Sequence, residues 1–263
     1  MRNQSGEFKK LKRGASQARP CEDATISEEG GVRYLHLGTP WIQGAMRVRK
    51  PFEIELEYVQ RMMVWLLWRP LSAWRQAHAV QLGLGAGAIT RFCHKRLRMR
   101  TTAVELNPSV IHACRAWFHL PFDDERLQVR NEDAARFVDA AEQQGAADAL
   151  CVDLYDHEAA SPVLDDDAFY AGCHRLLADE GVMTVNLFGR NASFDNSAAR
   201  IARVFGQRVA QLKPTREGNT IVVAWKGKES IDREVLAARA DTIVSEFGLP
   251  ARKWVKLLGS LNI

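Results

Sequence analysis

A chain of 263 residues, 46% of them hydrophobic, is long enough to bury one large core with a small appendage, and too apolar to stay disordered. Its apolar runs fall short of a membrane span and the start, MRNQSGEFKKLKRGASQARP, lacks the apolar centre of a signal peptide, so a soluble cytoplasmic protein is expected, with no membrane partner. The net charge of +4 is modest, and the five cysteines, Cys21, Cys93, Cys114, Cys151 and Cys173, show no CxxC spacing, which argues for thiols in a reducing compartment and against a metal site.

Residues 1–24 carry Arg2, Lys9, Lys10, Lys12, Arg13 and Arg19 with few apolar neighbours, and read as a disordered, solvated tail; binding to nucleic acid is not expected of it. Residues 25–70 form the appendage. GGVRYLHLGTPWIQGAM alternates apolar and polar residues around paired glycines, as short hairpin strands do. PFEIELEYVQRMMVWLLW follows with apolar residues at helical period from Ile54 to Leu66, a connecting helix opened by Pro51. Trp65, Trp68 and Trp74, where that helix meets the main domain, read as packing or a subunit interface.

Residues 71–263 read as the main domain. Strand patterns at 79–84, 101–105, 127–129, 149–153 and 182–188 alternate with helix patterns at 89–97, 109–118, 134–143 and 167–177. That order predicts an α/β fold, a mainly parallel sheet with helices on both faces. Val209 to Leu212 and Thr220 to Trp225 flank Pro214 and Gly218-Asn219, an antiparallel edge hairpin, and 231–258 reads as helical.

Chemistry concentrates at the predicted C-terminal strand ends. AVQLGLGAGAIT places Gly83, Gly85 and Gly87 between a strand and a helix, and Glu105 closes the next strand. A nucleotide-binding α/β fold puts there the tight turn and the carboxylate that accepts from ribose hydroxyls, so an adenosine-containing ligand is predicted. Asp133, Asp153 and Asp156 follow later strands and would share that edge. Between Arg136 and Arg175 no lysine or arginine intervenes among many acidic residues, a local field suited to a cationic ligand. Asp165 to Asp167 read instead as capping and dipole charge for the helix that follows.

From about Trp41 to Trp225 the chain resembles the spermidine synthase-like aminopropyltransferases, whose Rossmann-like fold is close to that of class I methyltransferases. WIQGAM looks like their N-terminal glutamine motif, LGLGAG their glycine loop, VELNP their ribose-binding strand end, NEDA their adenine-binding step, VDLYD their acidic pair and AFY their aromatic pair. The resemblance implies transfer of an aminopropyl group from decarboxylated S-adenosylmethionine to a di- or polyamine. It also implies a homodimer. By resemblance Asp153 is the base, Asp156 the amine anchor and Tyr155 a pocket wall, while Gln43, Gly83, Gly85, Gly87, Glu105, Asp133 and Ala134 hold the cofactor. The chain departs from the family at Ala86, where a loop aspartate is usual, in the segment around Glu55, Glu57 and Tyr58, which lacks a histidine, and at His157, in place of a proline. These departures touch amine recognition and spare the adenosine pocket. The same loop, Glu105 and Asp133 would serve an S-adenosylmethionine-dependent methyltransferase, and an adenosine-binding relative without chemistry is a third reading. The Asp153 and Asp156 pair and the Gln43 motif favour aminopropyl transfer.

Overall fold

The structure, a computed structural model, describes residues 22–155, 164–188, 192–228 and 232–260. The basic tail, Cys21, Asp156 and His157 lie outside the described residues. The chain opens on a small antiparallel sheet of β1 (Ala24–Glu29), β2 (Val32–Leu37) and β3 (Gly44–Arg47). Gly30 and Gly31, at φ 59° and 76°, make the two-residue turn between β1 and β2, because both positions need the left-handed region. Ala24, expected in the tail, already begins β1, and its N–H donates to Ser109 Oγ at 2.9 Å.

The segment after Pro51 is less helical than its periodicity suggests. Helix α1 spans only Glu57–Met62 and tightens into a 3₁₀ stretch, Met63–Trp68, before the short α2, Leu71–Trp74. Every residue from Met62 to Trp68 is buried, so packing on all sides rather than one amphipathic face decides its shape. Trp65 meets Trp74 edge to face at 4.7 Å between ring centroids, and Trp68 lies 5.2 Å from Trp225, as the packing reading of these tryptophans requires.

The main sheet runs in the order β11-β9-β10-β8-β7-β4-β5-β6. Its parallel strands are β4 (His78–Leu82), β5 (Arg100–Glu105), β6 (Leu127–Asn131), β7 (Ala147–Val152) and β8 (Leu177–Phe188). β9 (Val209–Leu212), β10 (Asn219–Trp225) and β11 (Leu258–Ser260) extend it antiparallel. The expected hairpin is therefore present but does not form the edge: the short β11 pairs outside it. The expected C-terminal helix is two, α8 (Arg233–Phe247) and α9 (Ala251–Leu257), because Gly248 adopts φ 70° and Pro250 follows.

Alternate strand residues feed opposite cores. Ala79, Ala149 and Cys151 pack with the 3₁₀ segment, α8 and α9, whereas Val80, Leu82, Leu150 and Val152 pack with Phe137, Tyr170 and Ile201. Past α4 (Pro108–Trp117), these last residues come from α5 (Ala134–Asp139), α6 (Asp167–Leu176) and α7 (Ala192–Phe205). After the four-residue α3 (Ala88–Arg91) the chain widens into a π-helical turn, Phe92–Arg96, which lets Phe92, Cys93 and His94 all face inward. Among the described residues no helix is long and apolar enough to cross a membrane.

The connections fix where a ligand belongs. From β4 the chain crosses to β5 on one side, whereas β7 pairs on the other, so the strand order reverses at β4. In open α/β sheets the crevice beyond the carboxyl ends of such strands receives ligands.

Candidate active site

The glycine loop follows β4, at that crevice. Gly83, Gly85 and Gly87 adopt φ values of 84°, 51° and 70°. Gly83 also stands against the backbone of the next segment: a methyl there would meet the carbonyl carbon of Asp153 at 3.0 Å and its oxygen closer still. Gly44 of β3 faces the loop from the other side, where a methyl would lie 2.5 Å from Ala86 N. Two polar side chains hold the loop from beneath. Gln81 Nε2 donates to Gly83 O at 2.7 Å and Leu84 O at 3.3 Å, while its Oε1 accepts from Thr90 N and Oγ1. Arg91, wholly buried, donates to Ala86 O and, through Nε, to Pro51 O at 2.9 Å. Burial brings its guanidinium down to about 10.

Glu105 ends β5 beside this loop. Its Oε2 accepts from Leu84 N at 2.8 Å and its Oε1 from Asn107 N at 2.9 Å. Burial raises its carboxyl, and these backbone donors oppose that by favouring the charged form. Each oxygen keeps lone-pair capacity for another donor. Asp133 caps α5, accepting from Ala135 N at 2.8 Å, and Ala134 is buried behind it. This step adjoins Glu105, whose carbonyl accepts from Glu132 N and Asn131 Nδ2.

Asp153 follows β7 and lines a narrow cleft with Gln43, Gly85, Ala86, Tyr58 and Gln81. Asn186 Nδ2 donates to its Oδ1 at 2.9 Å, and the Tyr58 hydroxyl also donates to it. Burial pushes the Asp153 carboxyl upward, the two donors pull it down, and the net direction is up. The Tyr155 hydroxyl turns away to β8, donating to Asn186 O at 3.0 Å and accepting from Phe188 N at 2.6 Å.

Among the described residues, four carboxylates of the acidic interval are paired with arginines. Asp139 pairs with Arg175, Asp148 with Arg69, Asp165 with Arg200 and Asp167 with Arg203. Asp166 is the cap of α6, accepting from Phe169 N at 2.7 Å, whereas Asp165 binds Tyr170 and Ser197 rather than the helix end. Among the described residues Asp153 has neutral partners only. The field at the cleft therefore comes from one buried carboxylate more than from the acidic run.

The structure thus gathers Gln43, Gly85 and Asp153 around one cleft and sets Gly83, Gly87 and Glu105 against it, with Asp133 and Ala134 one strand further out. Asp156 lies outside the described residues. The contacts of Tyr58, Gln81 and Asn186 with the loop and Asp153 escape the sequence reading, which sets Tyr58 in an apolar helical stripe and in the segment that lacks the family's histidine. Gln81 and Asn186 left a detectable signal, each being a lone amide within a buried strand.

Residues 75–234 match the family model described as the spermine/spermidine synthase domain. The chain is 33% identical over 257 residues to a polyamine aminopropyltransferase of Chromobacterium violaceum, covering 97% of this chain and 95% of that one. A probable spermidine synthase from Corynebacterium glutamicum has a similar structure, with a TM-score of 0.69 at 18% identity over 91% of this chain and 92% of its own. Human methyltransferase-like protein 13, solved in complex with SAH, shares the fold at a TM-score of 0.64 and 20% identity, over 74% of this chain and 93% of its own.

Proposed function

The chain belongs to the spermine/spermidine synthase family, and we propose that the cleft at Asp153 transfers the aminopropyl group of decarboxylated S-adenosylmethionine to an amine. The enzyme is an aminopropyltransferase that uses an adenosyl-type ligand and a small polyamine; methyl transfer is not favoured, since the relatives covering nearly the whole chain are named for the other reaction. Both the adenosyl donor and the amine are substrates.

An amine attacks only when neutral, yet a free alkylammonium has a pKa of about 10. The cleft answers this with Asp153. As the nitrogen lone pair forms its bond to the carbon beside the sulfonium, the carbon–sulfur bond breaks, methylthioadenosine leaves with that electron pair, and Asp153 takes the nitrogen's proton. Burial that raises the carboxyl brings it nearer the amine in basicity, and the Tyr58 and Asn186 donors hold it in one orientation. The raised, neutrally partnered carboxylate beside the glycine loop is the single observation that carries this reading. Asp156 serves as the amine anchor and Tyr155 as a wall that fixes the end of β8. Glu105 takes the ribose hydroxyls, Asp133 and Ala134 the adenine, and Gln43 closes the cleft from the N-terminal sheet.

Steady-state kinetics with decarboxylated S-adenosylmethionine and a panel of diamines, following methylthioadenosine, tests the reading. Asp153→Asn is expected to lower kcat by about 10²- to 10⁴-fold. An equal rate in wild type and variant would refute Asp153 as the base.

A further inference from the structure

Behind the cleft a chain of buried amides leads away from Asp153. Asn186, on β8, donates from Nδ2 to Asp153 Oδ1 at 2.9 Å, and its own Oδ1 accepts from Asn219 Nδ2 at 3.1 Å. Asn219 begins β10, opposite Phe188 of β8, and is outside the residues that line the cleft. Thr215 holds it in turn: Asn219 N donates to Thr215 Oγ1 at 3.1 Å, Thr215 N donates to Asn219 O at 2.8 Å, and the Thr215 hydroxyl faces Asn219 Oδ1 at 3.5 Å. Asn186, Asn219 and Thr215 are 4%, 8% and 2% exposed.

The two ends of an amide are nearly equal in shape and opposite in polarity. Alone, Asn186 could present either its NH₂ or its oxygen to Asp153. Asn219 removes that choice, since turning Asn186 over would bring two NH₂ groups together at 3.1 Å. Thr215 supports Asn219 more weakly: its oxygen accepts the Asn219 backbone N–H at 3.1 Å, and its proton is directed at Asn219 Oδ1 across 3.5 Å. Every bond in the series donates toward Asp153, and a donor on a carboxylate favours the ionised form.

We propose that Asn219 is a positioning residue: through Asn186 it keeps an amide N–H on Asp153 and so sets the pH at which Asp153 becomes a base. The inference rests on the reading of Asp153 as the acceptor of the amine's proton. The other titratable groups facing Asp153 are Tyr58 from α1, and Tyr155 and Cys151 from its own strand and the segment after it. Burial moves all three upward, so each stays neutral while Asp153 titrates, and among the described residues no lysine or arginine pairs with it.

The test follows the Asp153 carboxyl by ¹³C NMR across pH in the full chain, alongside the pH profile of kcat/KM for methylthioadenosine release. Asn219→Leu removes the donor at similar volume, Asn219→Ala removes it without a branched side chain, and Thr215→Val loosens Asn219 alone. Asn186→Leu is the direct comparison. Both Asn219 variants are expected to raise the Asp153 midpoint by about one pH unit, a tenfold change in ionisation. Thr215→Val is expected to raise it less, and Asn186→Leu at least as much. The acid limb of the rate profile moves up equally, with the high-pH plateau retained. An unchanged midpoint in the folded Asn219 variants, or in Thr215→Val where those do not fold, overturns the proposal. A midpoint that rises while the acid limb stays in place keeps the positioning role and refutes Asp153 as the base.

Discussion

Gly83→Ala perturbs the loop and the base with one methyl group. Gly83 has φ 84°, where an L-residue costs roughly 1–2 kcal/mol. The added carbon would also sit 3.0 Å from the Asp153 carbonyl carbon and nearer still to its oxygen, so loop and base must separate by about 1 Å to reach ordinary contact at ~3.5–4 Å. Overpacking of this kind costs about 1–3 kcal/mol. The two together come to about 2–5 kcal/mol, or a Tm lower by roughly 5–15 °C for a domain of this size. Misplacing a reacting group by about 1 Å is worth on the order of 100-fold in rate. Gly145→Ala separates strain from clash, because Gly145 has φ 69° with nothing within 4 Å of an added methyl and precedes β7 at the opposite end of the sheet. Calorimetric melting and methylthioadenosine release, measured on both variants, are the assay. Gly145→Ala should show the strain alone and full activity. If Gly83→Ala melts with Gly145→Ala and turns over like wild type, the close packing of loop on base has no functional weight and the reasoning fails.

Glu105→Gln should weaken methylthioadenosine binding by about 10- to 100-fold in titration calorimetry, since charge-assisted hydrogen bonds contribute about 1.5–3 kcal/mol; undiminished affinity would rule out the ribose role. Gln81→Leu should lower Tm and ligand affinity together, because it strips partners from two loop carbonyls and from Thr90; a variant that melts lower yet binds normally would show that Gln81 stabilises without shaping the loop. Asp153→Asn should melt above wild type at neutral pH. The folded-state carboxyl is raised, so its contribution to stability is whole below the ordinary carboxylate range and is lost as pH rises through the folded value. The advantage of the variant should therefore shrink as pH falls toward 4, and melting curves against pH that show the opposite trend would contradict the burial argument.

The sequence already specifies the parallel α/β core, because strand and helix periods alternate and leave little freedom in topology. It determined the glycine loop and Glu105 as neighbours for a similar reason: successive parallel strands end on the same edge, so residues closing β4 and β5 meet whatever else the fold does. Asp153 was legible for the same cause. Everything that depends on which surfaces meet comes from long-range packing instead. Tyr58 looked like one more apolar position, and only the packing of α1 beside the end of β7 turned its hydroxyl onto Asp153. The acidic run reads as a local field suited to a cation, and only the tertiary structure brings Arg69, Arg200 and Arg203, distant in sequence, onto Asp148, Asp165 and Asp167. Asn186 and Asn219 are separated by 33 positions and share no motif, yet strand pairing set them 3.1 Å apart. Local pattern reports what a residue's own element must do, because periodicity and turn chemistry act over a few residues. The partner of a buried polar group is chosen by long-range packing, which satisfies that group only once the whole core has closed.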